Sequence, residues 1–103
     1  MLTVDEYCDK AKKRNDIKSD RKLAEALSIA HTSLNQYRTK RAWPSDNTMI
    51  KLAKLAGLDP TQSLLYLSAW RTTGEALELY KELADEHLRN NAKAMEQMLV
   101  NNT

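Results

Sequence analysis

Phenylalanine is absent, glycine and proline occur only twice each, and cysteine occurs once in a chain of 103 residues. Each scarcity excludes something. With so few turn-forming residues, and no run that alternates apolar and polar positions for long, the chain does not read as a β-fold. The lone Cys8 closes no internal disulfide. It falls on the stripe Val4, Tyr7, Cys8, Ala11 at helical spacing and reads as a small core residue, as expected for a cytoplasmic protein. The uncharged run from Pro60 to Trp70 is far short of the roughly 20 apolar residues that cross a bilayer, so no membrane association is expected. The chain is polar from Thr3 onward, and no signal peptide is expected either.

Motifs for chemistry are missing as well. There is no Gly-rich phosphate loop, no nucleophile elbow and no H-E-x-x-H, so no catalytic residues and no enzymatic role are expected. Glu78, Glu82 and Glu86 form an acidic i,i+4 row, which reads as a solvated helix face. His31 and His87 are remote from each other, and no Cys/His spacing suits zinc, so neither a metal nor a cofactor is expected.

What the chain does have is Ala, Leu and Lys in amphipathic stretches. The expected fold is all-α: a compact five- or six-helix bundle with a long C-terminal helix, in a chain short enough to form one modest core. The net charge of +2 is unevenly spread. Residues 1–44 hold 10 Lys and Arg against 6 Asp and Glu, and residues 45–103 hold 6 against 8. A basic first half fits a polyanionic partner, although such charge can equally be a solvated face.

Helix ends are marked locally. Thr3 and Glu6 form a T-x-x-E capping box, and this first helix should end near Arg14-Asn15. Ser19 or Asp20 opens a second helix, and His31 to Arg38 form a third. Pro44 ends the loop that follows, and Ser45 caps a fourth helix that closes at Gly57. Asp59-Pro60 restarts the chain into a fifth helix running to about Arg71. A second T-x-x-E box, Thr72 to Glu75, should open the last helix, whose stripe is Leu77, Tyr80, Ala84, Leu88, Ala92, Met95, Leu99, before a polar frayed end at Asn101-Asn102-Thr103.

The stretch "LAEALSIAHTSLNQYRTKRAWP" sets two short helices around Ser28-Ile29-Ala30. A tight two-helix corner needs a small residue where the backbones approach, a turn residue tolerant of left-handed backbone four positions later, and an apolar plug ten positions after the small one. Ala24, Ser28 and Leu34 stand at those positions, with Ile29 turned inward. The outward positions of the second helix are then His31, Thr32, Asn35 and Gln36, hydrogen-bonding side chains long enough to read base edges in a major groove.

In this context "RKLAEALSIAHTSLNQYRTKRAWPSDNTMIKLAKLAGLDP" resembles the helix-turn-helix of the lambda-repressor/Cro (Xre-type) family, whose members commonly read L-A-x-x-L-G-[IV]-[ST]-x-x-[TS]-[IL]-S-x-[WY]-E-x-G-x-x-x-P. Leu23, Ala24, Leu27, Ile29, Ser33, Leu34, Tyr37 and Pro44 match in order and spacing, and "LAKLAGLDP" matches the usual fourth helix and restart. The likeness covers roughly residues 3–71. Departures are Ser28 for the usual Gly, Ala30 for the capping Ser or Thr, Arg38 for the common Glu, and Thr39-Lys40-Arg41 for x-Gly-Lys.

The resemblance implies a helix-turn-helix DNA-binding domain over residues 1–71 and a dimerisation helix over 72–103. It implies a transcriptional regulator, similar to small phage or prophage repressors, that binds a palindromic operator in double-stranded DNA as a homodimer in the cytoplasm, at the nucleoid. Base contacts would come from His31, Thr32, Asn35 and Gln36, and phosphate contacts from Arg21, Lys22, Ser33, Arg38, Lys40 and Arg41. The dimer would use Leu64, Leu65, Leu67, Trp70, Leu77, Tyr80, Leu88, Met95 and Leu99. The alternative is an adaptor of the same fold, an antirepressor or antitoxin, gripping a protein partner; a regulator of this kind can itself have a protein antagonist.

Overall fold

The computed structural model describes residues 1–101, with side chains described through residue 99. Residues 102–103, and with them most of the expected frayed end, lie outside the described residues. Six helices run in order: α1 (Val4–Arg14), α2 (Asp20–Ala26), α3 (His31–Arg38), α4 (Asp46–Ala56), α5 (Pro60–Trp70) and α6 (Gly74–Asn101). The architecture is an all-α, six-helix bundle with a long C-terminal helix.

Most boundaries follow from local chemistry. In the Thr3–Glu6 capping box the Glu6 N–H donates to Thr3 Oγ1 and the Thr3 N–H to Glu6 Oε1, each at 3.2 Å. Ser19, Ser45 and Asp59 accept from the N–H groups of Lys22, Thr48 and Gln62 and so start α2, α4 and α5. Gly57 ends α4 in left-handed backbone, with φ of +71°. Two starts go otherwise. Ala30 precedes α3 with no side-chain hydrogen bond to cap it. The expected box at Thr72 is not made among the described residues: Gly74, with φ of +68°, is the first residue of α6 and turns the chain between Thr72 and Glu75.

The helices stack as a chain of neighbours: α1 packs on α4, α4 on α5 and α5 on α6, while α2 and α3 pack on each other and on α1. Their shared core joins Tyr7, Cys8 and Ala11 to Leu23, Leu27, Leu34, Met49, Leu52 and Leu67, all essentially without exposure. Burial pushes the Cys8 thiol up to about 11, despite the opposing pull of Arg38, so it remains protonated and inert. The Tyr7 hydroxyl lies 2.7 Å from Ser63 Oγ, and Ser63 Oγ donates to the Asp59 carbonyl at 2.7 Å. Tyr7 must therefore be the donor of this pair, and burial pushes its pKa up to about 12.

At 28 residues α6 is about 42 Å long, in a molecule whose longest extent is 47 Å. Its first half is anchored. Leu77 and Tyr80 are half-buried, Ala84 is buried, Gln62 Nε2 donates to the Ala84 carbonyl at 2.9 Å, and His87 Nε2 lies 2.8 Å from Asp59 Oδ2. From Leu88 to Leu99 every residue is exposed.

The expected interface residues therefore divide. Leu88, Met95 and Leu99 are 54%, 65% and 68% exposed and open to a partner. Leu64 and Leu65 are half-buried against the core. Leu67 is corrected from interface to core: it is fully buried and has no surface to offer a second chain. Trp70 is half-buried and occupied within its own chain, stacked on Trp43 and donating from Nε1 to the Leu2 carbonyl at 3.1 Å.

Candidate nucleic-acid interface

The corner between α2 and α3 is three positions after Leu27, and each position does something different. Leu27 is buried and closes α2. Ser28 takes left-handed backbone, φ +58°, which redirects the chain, and Ile29 tucks partly into the core. Ala30 then enters α3. Ala24 and Leu34, 1% and 0% exposed, fill the space where the helices meet. A side chain at left-handed φ costs about 1 kcal/mol relative to Gly, and burial of Leu23, Leu27 and Leu34 offsets it.

With Leu34 inward, α3 presents His31, Thr32, Asn35 and Gln36 to solvent, and Ser33 is half-buried. None of the four exposed side chains forms an ion pair. Arg21 and Lys22 are exposed at the start of α2, and Lys40 and Arg41 are exposed just after α3. The result is a polar helix edge with cations at both flanks. Lys40, like Ser28, is left-handed, with φ of +61°. Thr39 steadies the end of α3, donating from Oγ1 to the Asn35 carbonyl at 3.0 Å.

Arg38 does not belong to this edge. Its side chain, 18% exposed, turns back towards α1 and α2. Nε and Nη2 donate to Asp20 Oδ2 and Oδ1 at 3.1 and 2.9 Å, Nη1 to Asp5 Oδ1 at 3.1 Å, and Nη2 to Asp9 Oδ1 at 3.1 Å. The expected phosphate contact is corrected to an internal tie, because three carboxylates already hold every face of the guanidinium. Burial works against its charge, but the hydrogen bonds it donates to Asp20, Asp5 and Asp9 outweigh that and raise its pKa further. Burial likewise raises Asp20, yet Arg38 and Lys12, the latter at 3.0 Å, bring it below the usual carboxylate value. The Asp20 charge is thus neutralised internally and does not confront an anion near the start of α2.

Asp5 and Asp9 are the participants that sequence reasoning passed over. Their signal was present: an acidic i,i+4 pair on the face of α1 that also carries Cys8, together with an arginine where the resembled pattern has Glu. A second omission lies on α6, where Leu79 and Leu83 are 54% and 49% exposed on the side opposite the packed stripe.

Among the described residues no group of three His, Cys, Asp or Glu converges to hold a metal. No helix among them is long and apolar enough to cross a membrane. No family model, curated protein or solved structure matches the chain.

Proposed function

We propose that the chain is a sequence-specific DNA-binding regulator of transcription, of the phage or prophage repressor kind, in which α2 and α3 form a helix-turn-helix. The observation that carries this reading is the α3 edge: His31, Thr32, Asn35 and Gln36 exposed together, flanked by exposed Arg21, Lys22, Lys40 and Arg41. Amide, hydroxyl and imidazole groups at helical spacing match base-edge donors and acceptors, whereas the flanking cations match phosphates. Left-handed backbone at Ser28 and Lys40 adds support, since these two positions, unlike left-handed Asp16 outside the motif, are the glycine positions of the lambda-repressor/Cro pattern. The mechanism is occupancy: cations position α3 on the duplex, its side chains select the sequence, and polymerase is excluded from the operator.

Selection of bound fragments from random duplex DNA, followed by a salt titration of the winner, tests it. Counterion release makes the affinity fall steeply and log-linearly with salt. Absence of duplex binding even at low salt would overturn the reading.

One observation favours a second reading, an adaptor that grips a protein. Exposed large apolar side chains stand on both sides of α6, Leu79 and Leu83 on one and Leu88, Met95 and Leu99 on the other, which is much apolar surface for so small a chain. An adaptor shows weak duplex affinity at any salt and binds a protein through α6.

A further inference from the structure

A concave site of about 320 Å³ opens where the N-terminal segment, the loop after α3, the end of α5 and the start of α6 meet. Its floor is the Trp43–Trp70 pair, stacked with ring centroids 5.9 Å apart and planes 28° from parallel. Leu2 and Leu77 add aliphatic walls. Tyr7 meets Trp70 edge-on from beneath, at 5.6 Å and 84°, and the Trp70 indole N–H is already committed to the Leu2 carbonyl. The floor is therefore held rigidly before any ligand arrives.

Charge is one-sided around it. Among the described residues the ionisable side chains lining the site are Lys40 and Lys81, with no carboxylate beside them in its lining. Lys81 is 3.7 Å from Glu78, a loose and exposed pairing, and Lys40 is in no ion pair among the described residues. The left-handed backbone at Lys40 fixes where its stem leaves the loop. A space of this volume, apolar and aromatic with two lysines in its lining, has the features of a small-molecule site.

We propose that this site binds an aromatic carboxylate, its ring laid against Trp43 and Trp70 and its carboxylate between Lys40 and Lys81. A flat ring gains offset stacking on the indoles, and a carboxylate rather than an amine or alcohol satisfies the two ammonium groups. Lys40 is also a candidate phosphate contact, so an occupied site and a DNA backbone would compete for one side chain. That link alone rests on the DNA reading, and binding is tested without nucleic acid so that the two fail separately.

Trp43 and Trp70 are the only tryptophans, so both indole N–H resonances of the ¹⁵N-labelled full chain report on this site. The probes are 1-naphthoate, the neutral 1-naphthalenemethanol and the cationic 1-naphthylmethylammonium, each titrated at low salt. The expected result is saturable shifts of both indole resonances, with naphthoate binding about tenfold more tightly than either analogue. In the doubly substituted Lys40→Gln, Lys81→Gln chain, both positions being exposed, that preference disappears while the neutral probe binds as before. Equal binding of the three probes, an anion preference that survives the double substitution, or indole resonances that naphthoate does not move would each overturn the proposal.

Discussion

A guanidinium held by three carboxylates loses solvation, and only the full set of charged hydrogen bonds offsets that loss. Arg38 is in that position, tied to Asp5 and Asp9 on α1 and to Asp20 on α2. Arg38→Ala should cost about 2–3 kcal/mol, since it leaves three carboxylates facing one another without their cation; urea unfolding measures it. The Asp20 side of the tie is pH-dependent with a definite sign. Its folded pKa lies below the ordinary 3.8, so its contribution is complete above that value and is lost as pH falls through the lower folded one. Asp20→Asn should accordingly be less stable than the parent at neutral pH, with the gap closing below about pH 4. A gap that stays constant down to pH 2 contradicts the tie. Ser28 offers a change in the other direction. With φ at +58° and the side chain exposed, Ser28→Gly should raise stability by up to about 1 kcal/mol in a thermal melt, because nothing but the Cβ clash is removed.

At the scale of elements, the proposed DNA reading assigns α3 and its flank two kinds of contact that substitutions can tell apart. Gln36 lies on the exposed edge, and Gln36→Ala should weaken specific binding by about 1–3 kcal/mol and relax preference at one base pair per half-site. Arg41→Ala should weaken all duplexes alike and reduce the salt slope by about one. Arg38→Lys, by contrast, should lower stability and leave the salt slope alone, since its charge faces the carboxylates. Equal losses on specific and random DNA for Gln36→Ala and Arg41→Ala would remove the division of roles.

Much of this element layout was legible in the sequence because caps act over three residues: Thr3, Ser19, Ser45, Gly57 and Asp59 each declare an end by themselves. The exposure of α3 was legible from Leu34 and the helical period. The fate of Arg38 was not, because its partners are 33, 29 and 18 residues away and only the packing of α1 and α2 against α3 brings them together. The Thr72 box failed for a comparable reason. The motif is local, but Gly74 between its two members admits a left-handed turn that a Cβ would have discouraged. Leu67 was misplaced because α5 is apolar on most of its circumference, so periodicity could not say which leucines face inward.

The whole molecule presents a mismatch between its motif and its length. The core is closed by Ala84 in the first half of α6, yet α6 continues for a dozen exposed residues beyond Asp59–His87, the last side-chain tie to α5. Along that extension Leu88, Ala92, Met95 and Leu99 continue the packed stripe at spacings of 4, 3 and 4, the a/d rhythm of a helix pair. On the proposed DNA reading a single α3 would touch too few bases for useful selectivity, and two held one duplex turn apart, about 34 Å, would multiply it. If α6 pairs with its copy through this seam, then Leu88→Gln, Met95→Gln and Leu99→Gln together should leave the far-ultraviolet spectrum intact, since all three side chains are exposed. The same chain should sediment as a monomer where the parent is a dimer, and should bind a palindrome about 100-fold more weakly. Leu79→Gln with Leu83→Gln is the matched control, because those leucines lie on the other side of α6. If the control pair abolishes dimerisation and the triple substitution does not, the seam is on the opposite face. A parent that sediments as a monomer at tens of micromolar and still covers one palindrome as a single unit removes the dimer, and with it the reason for so long a last helix.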